Sequence, residues 1–342
     1  MLDDVWTPSH DIQPVLPISG DPSTAVVPAE WRYLLASMWR IRYFEDAVKS
    51  LFVRGLLRGS THLYQGQEAV AVGMCSELNE GDTAACTYRG HGVVLAMGSP
   101  IDRSFAEILG RAGGLCGGKG GSMHLTDFSV GVIGSNAIVG GHLPIVVGAA
   151  YAAQYLETGA VSVAFFGDGA TNIGSFHESL NLASVWKLPA IFVVENNHYG
   201  EYSPLATTTP VTRLADRAAS YAMPGVYVDG NDVAAVQSVA REAIERARAG
   251  LGPTLIEADT YRQEGHSRSD SAAYRPPGEL DAWLEQDPII RLEKSVLREA
   301  IASEDVLAEL RQAVHDEVQV GEERALSWPE PELKTRFADV YA

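Results

Sequence analysis

Val161-Ser162-Val163-Ala164-Phe165-Phe166-Gly167-Asp168-Gly169, followed by Ala190-Ile191-Phe192-Val193-Val194-Glu195-Asn196-Asn197-His198-Tyr199-Gly200, decides the reading of this chain. Each piece runs apolar for the length of a strand and ends in a turn, the first carrying a carboxylate and the second a side-chain amide. Ser175 to Trp186, between them, reads as a helix. A right-handed crossover brings both strand ends to the same edge of a parallel sheet. Oxygen donors at that edge, beside a helix N-terminus, suit a magnesium ion carrying a diphosphate. Asp168 offers a carboxylate oxygen, Asn197 its amide oxygen and Tyr199 its main-chain carbonyl, and Gly167 and Gly169 let phosphate approach the backbone. Either turn alone is ordinary. Their occurrence together, 29 residues apart with one helix and one strand between, is not.

Outward from this unit the pattern stays α/β. Residues 1–28 carry five prolines and read as an N-terminal arm, with 29–342 as a single domain ending in helices. Helical spacing runs from Glu30 to Val53 and from Gln67 to Leu78, with a strand at Thr83–Thr87. Residues 110–122 hold seven glycines, so this stretch is either mobile or shaped to pass close to a ligand or backbone. Ala137 to Ala153 reads as buried core, with a buried helix over Pro144–Leu156. Further strands are expected around Val226–Val228 and Pro253–Thr260, separated by a helix capped by Asn231 or Asp232, and a polar loop over Glu264–Gly278. The fold class is α/β, a mostly parallel sheet with helices on both faces.

Composition bounds the partners. A formal charge of -18 argues against nucleic acid and anionic membrane surfaces, which need a basic face. Three scattered cysteines show no metal spacing, Met1 to Val5 lack the features of a secretory signal, and the longest apolar stretch is broken by glycine and proline. A cytoplasmic location is expected.

Longer segments carry a resemblance. They are Thr61-His62-Leu63-Tyr64-Gln65-Gly66-Gln67-Glu68-Ala69, Thr87-Tyr88-Arg89-Gly90-His91-Gly92, Gly117-Gly118-Lys119-Gly120-Gly121-Ser122-Met123-His124, Ile138-Val139-Gly140-Gly141 and Gly265-His266-Ser267-Arg268-Ser269-Asp270. With the two turns above, they resemble, in order from about residue 30 to 300, the alpha subunit of the thiamine-diphosphate-dependent first component of 2-oxo acid dehydrogenase complexes. That resemblance implies thiamine diphosphate with Mg2+, the metal held by Asp168, Asn197 and Tyr199. It places Gly167, Gly169 and Ala170 against the cofactor, Arg89 and Arg262 on the diphosphate, Tyr88 in the pocket, and the elements that keep the cofactor bent at Ala137 and Val139. It assigns His62 and His266 to a substrate channel, as catalytic proton carriers, a task suited to imidazole near neutral pH. The serines of the Glu264–Tyr274 loop are expected to be solvated, and His91 to support the Tyr88-Arg89 turn.

The family resemblance also implies partners. The glutamate that faces the aminopyrimidine lies on a beta subunit in these relatives, and no segment here resembles that subunit. An alpha-two beta-two heterotetramer is therefore expected, delivering an acyl group to the lipoyl group of an acyltransferase core. The segments around Tyr199–Pro204 and Met223–Asp232 resemble acetoin dehydrogenases more than pyruvate ones, with branched-chain 2-oxo acids third. A nicotinamide-binding dehydrogenase is disfavoured because Gly174 falls too late for G-x-G-x-x-G. A non-catalytic assembly subunit would not need Asp168, Asn197, Arg89, His62 and His266 together.

Overall fold

A computed structural model describes residues 27–339, so most of the N-terminal arm lies outside the described residues. Helices α1 (Trp31–Val53) and α2 (Glu68–Cys75) precede strand β1 (Thr83–Thr87). Helices α3 (His91–Ala96) and α4 (Ile101–Ile108) lead through the glycine-rich stretch to β2 (Val132–Asn136) and α5 (Leu143–Tyr155). The deciding unit follows as β3 (Ser162–Gly167), α6 (Gly174–Trp186) and β4 (Ala190–Asn196). A small hairpin, β5 (Tyr199–Gly200) and β6 (Ser203–Pro204), and the turn α7 (Leu205–Thr208) come before β7 (Gly225–Asp229), α8 (Val233–Arg248) and β8 (Thr254–Asp259). Helices α9 (Glu279–Leu284), α10 (Pro288–Arg298) and α11 (Glu304–Ser327) end the chain.

Six strands form one sheet in the order β2-β1-β3-β4-β8-β7, every pairing parallel. Alternation along the strands builds a core on each face. Val163, Phe165, Ile191, Val193 and Ile256 meet residues of α1, α2, α4, α8, α10 and α11. Ala164, Phe166, Phe192 and Val194 meet α5 and α6. This two-faced burial is why the strands read as continuous apolar runs. Asp232 caps α8, accepting from the backbone N–H groups of Ala234 and Ala235, one of the two caps expected.

Three features differ from the sequence expectations. Strand β2 was not anticipated, because Val-Ile-Gly-Ser-Asn is a short edge strand with a glycine inside it. Helices α3 and α4 were also missed; α3 has six residues, too few for a periodic signal. The third is a correction: α5 is not a buried helix. Leu143, Val146, Val147 and Ala150 pack inward, while Ile145, Tyr151, Tyr155 and Leu156 face outward, and Ile138 just before them is 71% exposed. Apolar character alone does not say whether core or another chain covers a face.

The glycine-rich stretch is shaped around one side chain. Glu107, at the end of α4 and fully buried, accepts hydrogen bonds from the backbone N–H groups of Cys116 (2.6 Å), Gly118 (2.9 Å), Gly120 (2.6 Å) and Gly121 (3.2 Å). Of the two readings, mobile or shaped, the second describes it. Among the described residues no helix is long and apolar enough to cross a membrane.

One buried histidine gives this fold a pH signature. His142, ahead of α5, donates from Nε2 to the Phe165 carbonyl (2.9 Å), and its Nδ1 is buried without a partner. Burial pushes its pKa down to about 4. The unfolded imidazole binds a proton first, so the stability His142 contributes is full above about pH 6.5 and is lost as pH falls toward 4. The stability advantage of the wild type over His142→Leu is expected to shrink by up to about 3 kcal/mol between pH 7 and pH 4 in urea unfolding. A difference independent of pH would contradict the neutral, buried imidazole.

Candidate functional site

The two turns of the deciding unit meet as anticipated. β3 and β4 are neighbours, with Gly167 opposite Glu195, so Asp168 and Asn197 emerge at the same sheet edge. A cavity of about 290 Å³ opens there, lined by residues from both turns, from the Thr87-Tyr88-Arg89 segment, and by Arg262 and His266. A Cβ at Gly167 would meet nothing within 4 Å, so this backbone faces open space. Gly169 instead packs against Gly200, where a Cβ would lie 3.3 Å from the Gly200 Cα.

Of the expected site residues, Tyr88, Arg89, Val139, Gly167, Asp168, Gly169, Ala170, Asn197, Tyr199, Arg262 and His266 all line this cavity. His62 stands behind them, its ring 4.3 Å from that of Tyr88 and 5.0 Å from that of His266. Ala137 is outside the lining. Four further lining residues had not been singled out as site residues: Thr87, Glu195, Gly200 and Glu201. Glu195 is the most informative of these. Its carboxyl is buried beside the Tyr64 hydroxyl, which donates to it, and burial pushes its pKa up to about 7 against the opposing pull of Tyr64 and Arg89. Its position next to the Asn196-Asn197 pair, at the end of an otherwise apolar strand, was the available signal.

The charges in the cavity are unbalanced. Asp168 is buried, its Oδ2 has no hydrogen-bond partner, and burial pushes its pKa up to about 6. Arg89 spends its guanidinium on main-chain carbonyls, those of Leu63 (2.6 Å) and His266 (2.8 Å). Arg262 donates to the Glu201 carbonyl (2.9 Å) and the Tyr274 hydroxyl (2.5 Å), and it is not the surface arginine that its type would suggest. Neither makes an ion pair among the described residues. Burial, reinforced by Arg262, holds the Arg89 pKa down to about 10. An orphaned carboxylate oxygen opposite two buried guanidiniums is the donor set for a cation bridged to a polyanion, neither guanidinium making an ion pair among the described residues.

Asn197 is oriented for such a role. Its Nδ2 donates to Gln67 Oε1 (2.8 Å), which leaves Oδ1 as the ligating oxygen; Oδ1 also accepts a long bond from the Tyr199 N–H (3.4 Å), and its second lone pair remains for a metal. The Tyr199 hydroxyl donates to Glu279 (2.7 Å), anchoring the backbone that carries the Tyr199 carbonyl. Among the described residues no group of three or more His, Cys, Asp or Glu could hold a metal by side chains alone. Asp168, Asn197 and Tyr199 would therefore need phosphate oxygens or water to complete a shell.

His62 and His266 depart from the titration expected of them. Burial, then the Arg89 charge, pushes the pKa of His62 down to about 3 and that of His266 to about 4. Both are neutral at pH 7. Arg262 lies 3.3 Å from His266 Nδ1, which makes Nδ1 the acceptor and puts the ring proton on Nε2. The loop carrying His266 is held by Asp270, which accepts from the His266 N–H (2.6 Å) and the Tyr274 hydroxyl (2.9 Å). Ser269 and Ser271 are exposed and Ser267 half-buried, close to the solvated reading.

Residues 36–334 match the family model described as "Dehydrogenase E1 component". The chain is 48% identical over 314 residues to the alpha subunit of acetoin:2,6-dichlorophenolindophenol oxidoreductase of Bacillus subtilis, covering 92% of this chain and 93% of that one. It is 41% identical over 322 residues to the subunit of the same name from Cupriavidus necator, covering 93% of this chain and 97% of that one. The alpha subunit of the pyruvate dehydrogenase E1 component of Rhizobium meliloti is 42% identical, covering 89% and 87%.

Proposed function

Since the chain belongs to the dehydrogenase E1 component family, we propose that it is the alpha subunit of a thiamine-diphosphate-dependent dehydrogenase whose substrate is acetoin. The observation that carries the cofactor part is the unpaired Asp168 oxygen facing two buried arginines that lack carboxylate partners. The 48% identity to an acetoin-oxidising relative supports the substrate, and pyruvate is the second reading on the 42% relative.

In this reading Asp168, Asn197 and the Tyr199 carbonyl hold Mg2+, and Arg89 and Arg262 grip the diphosphate. Bound thiamine diphosphate supplies the electron sink for cleavage beside a carbonyl. The rings of Tyr88, His62, His266 and Tyr202 form a wall leading from the cavity toward solvent. His266 donates from Nε2, and His62 presents a buried, unpartnered Nδ1 at which a proton can be received or released. His266 lines the cavity with Arg89 and Arg262, so an anion held by those arginines would offset their charge and raise the imidazole pKa toward the range where it exchanges protons near neutrality.

A beta subunit completes the site. The exposed apolar face of α5 and α6 supports this: Tyr151 stacks on Tyr155 and tilts against Trp186, with Ile145, Leu156 and Val185 around them. We further propose an alpha-two beta-two assembly feeding a lipoyl acyltransferase. Cytoplasmic residence fits the free thiols of Cys75 and Cys86.

The test is dye reduction by this chain co-expressed with its beta subunit, with acetoin, pyruvate and branched-chain 2-oxo acids compared. Turnover is expected with acetoin in the complex and not in the isolated chain. A higher kcat/KM for pyruvate would replace the substrate assignment, and activity of the isolated chain would overturn the shared site.

A further inference from the structure

We propose that Glu45, buried in α1 and outside the cavity, is the positioning residue for Arg89, and so sets the affinity of the diphosphate grip; this rests on the function proposed above. Two separate links run from its carboxylate to the arginine. In the first, Glu45 Oε1 accepts the Tyr64 N–H at 2.8 Å. The carbonyl of that same peptide unit, Leu63 O, accepts from the Arg89 guanidinium at 2.6 Å. A carboxylate at the N–H end polarises the peptide and strengthens its carbonyl as an acceptor.

The second link is the imidazole of His91, two residues after Arg89. Its Nδ1 lies 3.0 and 2.9 Å from the two Glu45 oxygens, and its Nε2 lies 2.9 Å from the Ser122 hydroxyl. With Nδ1–H donating to the carboxylate, Nε2 accepts from Ser122. The row Glu45–His91–Ser122 has the order of a hydrolytic triad, yet all three are buried and none lines the cavity, so it fixes position and does not attack a substrate.

Packing leaves the turn no independent freedom. A Cβ at Gly92 would sit 2.2 Å from the Tyr64 ring, and one at Gly90 would sit 2.4 Å from Cys86 Sγ. The Tyr64 hydroxyl in turn donates to Glu195 in the cavity wall. Among the described residues Arg89 has no bonded carboxylate, so the negative charge of Glu45 reaches it through one peptide group. That arrangement holds the guanidinium in place while leaving it free to meet an external anion.

Calorimetric titration of magnesium thiamine diphosphate into the alpha–beta complex decides the matter, on wild type, Glu45→Gln, Arg89→Lys and the double variant. Glutamine keeps the volume and an oxygen for the Tyr64 N–H and removes the charge. Glu45→Gln is expected to bind roughly tenfold more weakly. In the Arg89→Lys background the same change is expected to have no further effect, because its influence passes through the guanidinium. A lowered melting temperature with unchanged affinity, or additive losses in the double variant, would overturn the inference. Should Glu45→Gln fail to fold, His91→Gln, which still reaches Ser122 and removes the Nδ1 donor to Glu45, replaces it with the same two readings. A wild-type complex that binds no cofactor would overturn the proposed function itself, and the inference with it.

Discussion

Asp168→Ala is expected to weaken magnesium-dependent thiamine diphosphate binding by roughly 100-fold or more, since a metal ligand is removed outright. The physical basis is specific to this carboxylate. Its Oδ2 is buried with no hydrogen-bond partner, and a negative group in that state is costly until a cation meets it. Binding and stability should therefore move in opposite directions. Asp168→Asn, which keeps the shape and removes the charge, is expected to leave the empty chain as stable as wild type or more so, while still losing the cofactor. Titration calorimetry and thermal melting of the same samples separate the two effects. Wild-type affinity in Asp168→Ala would remove Asp168 from the metal assignment.

The second large effect lies away from the cavity. Glu107→Ala is expected to destabilise the chain by about 3–5 kcal/mol, because four backbone N–H groups lose one charged acceptor together. Cys116, Gly118, Gly120 and Gly121 contribute little side chain of their own, so beyond local turns and the Cys116 Sγ contacts to the His124 and Thr126 carbonyls the Glu107 bonds are the main tie on the stretch. Glu107→Gln should recover little, since its amide nitrogen would face two donors where an oxygen now accepts. Urea unfolding read by circular dichroism measures both. A loss below about 1 kcal/mol for Glu107→Ala would show that solvent satisfies these donors, and that the clamp does not organise the loop.

What could be read in the sequence was local. A strand ending in Gly167-Asp168-Gly169 and another ending in Asn196-Asn197 need only their own apolar runs and a right-handed crossover to meet, and they do. Helices α1, α6 and α8 fell within a residue or two of their expected ends because capping and periodicity are also local. The rest depends on distant partners. Glu107 is one more acid until four amides converge on it, and Glu195 one more until Tyr64 arrives from 131 residues away. The neutrality of His62 and His266 follows from burial and from Arg89 and Arg262, none of which spacing reveals. The outward face of α5 was misjudged for a related reason: hydropathy reports that a face is to be covered and not by what.

That uncovered face has a consequence for how the chain is made. Tyr151, Tyr155 and Trp186 at the surface of a lone subunit offer themselves to any other sticky surface in a crowded cell. Synthesis in excess of a cognate partner would then end in clumping or disposal by proteases, so that output of the two polypeptides is matched by attrition of the surplus as much as by gene expression. The aromatic patch would serve as the molecule's own inventory control.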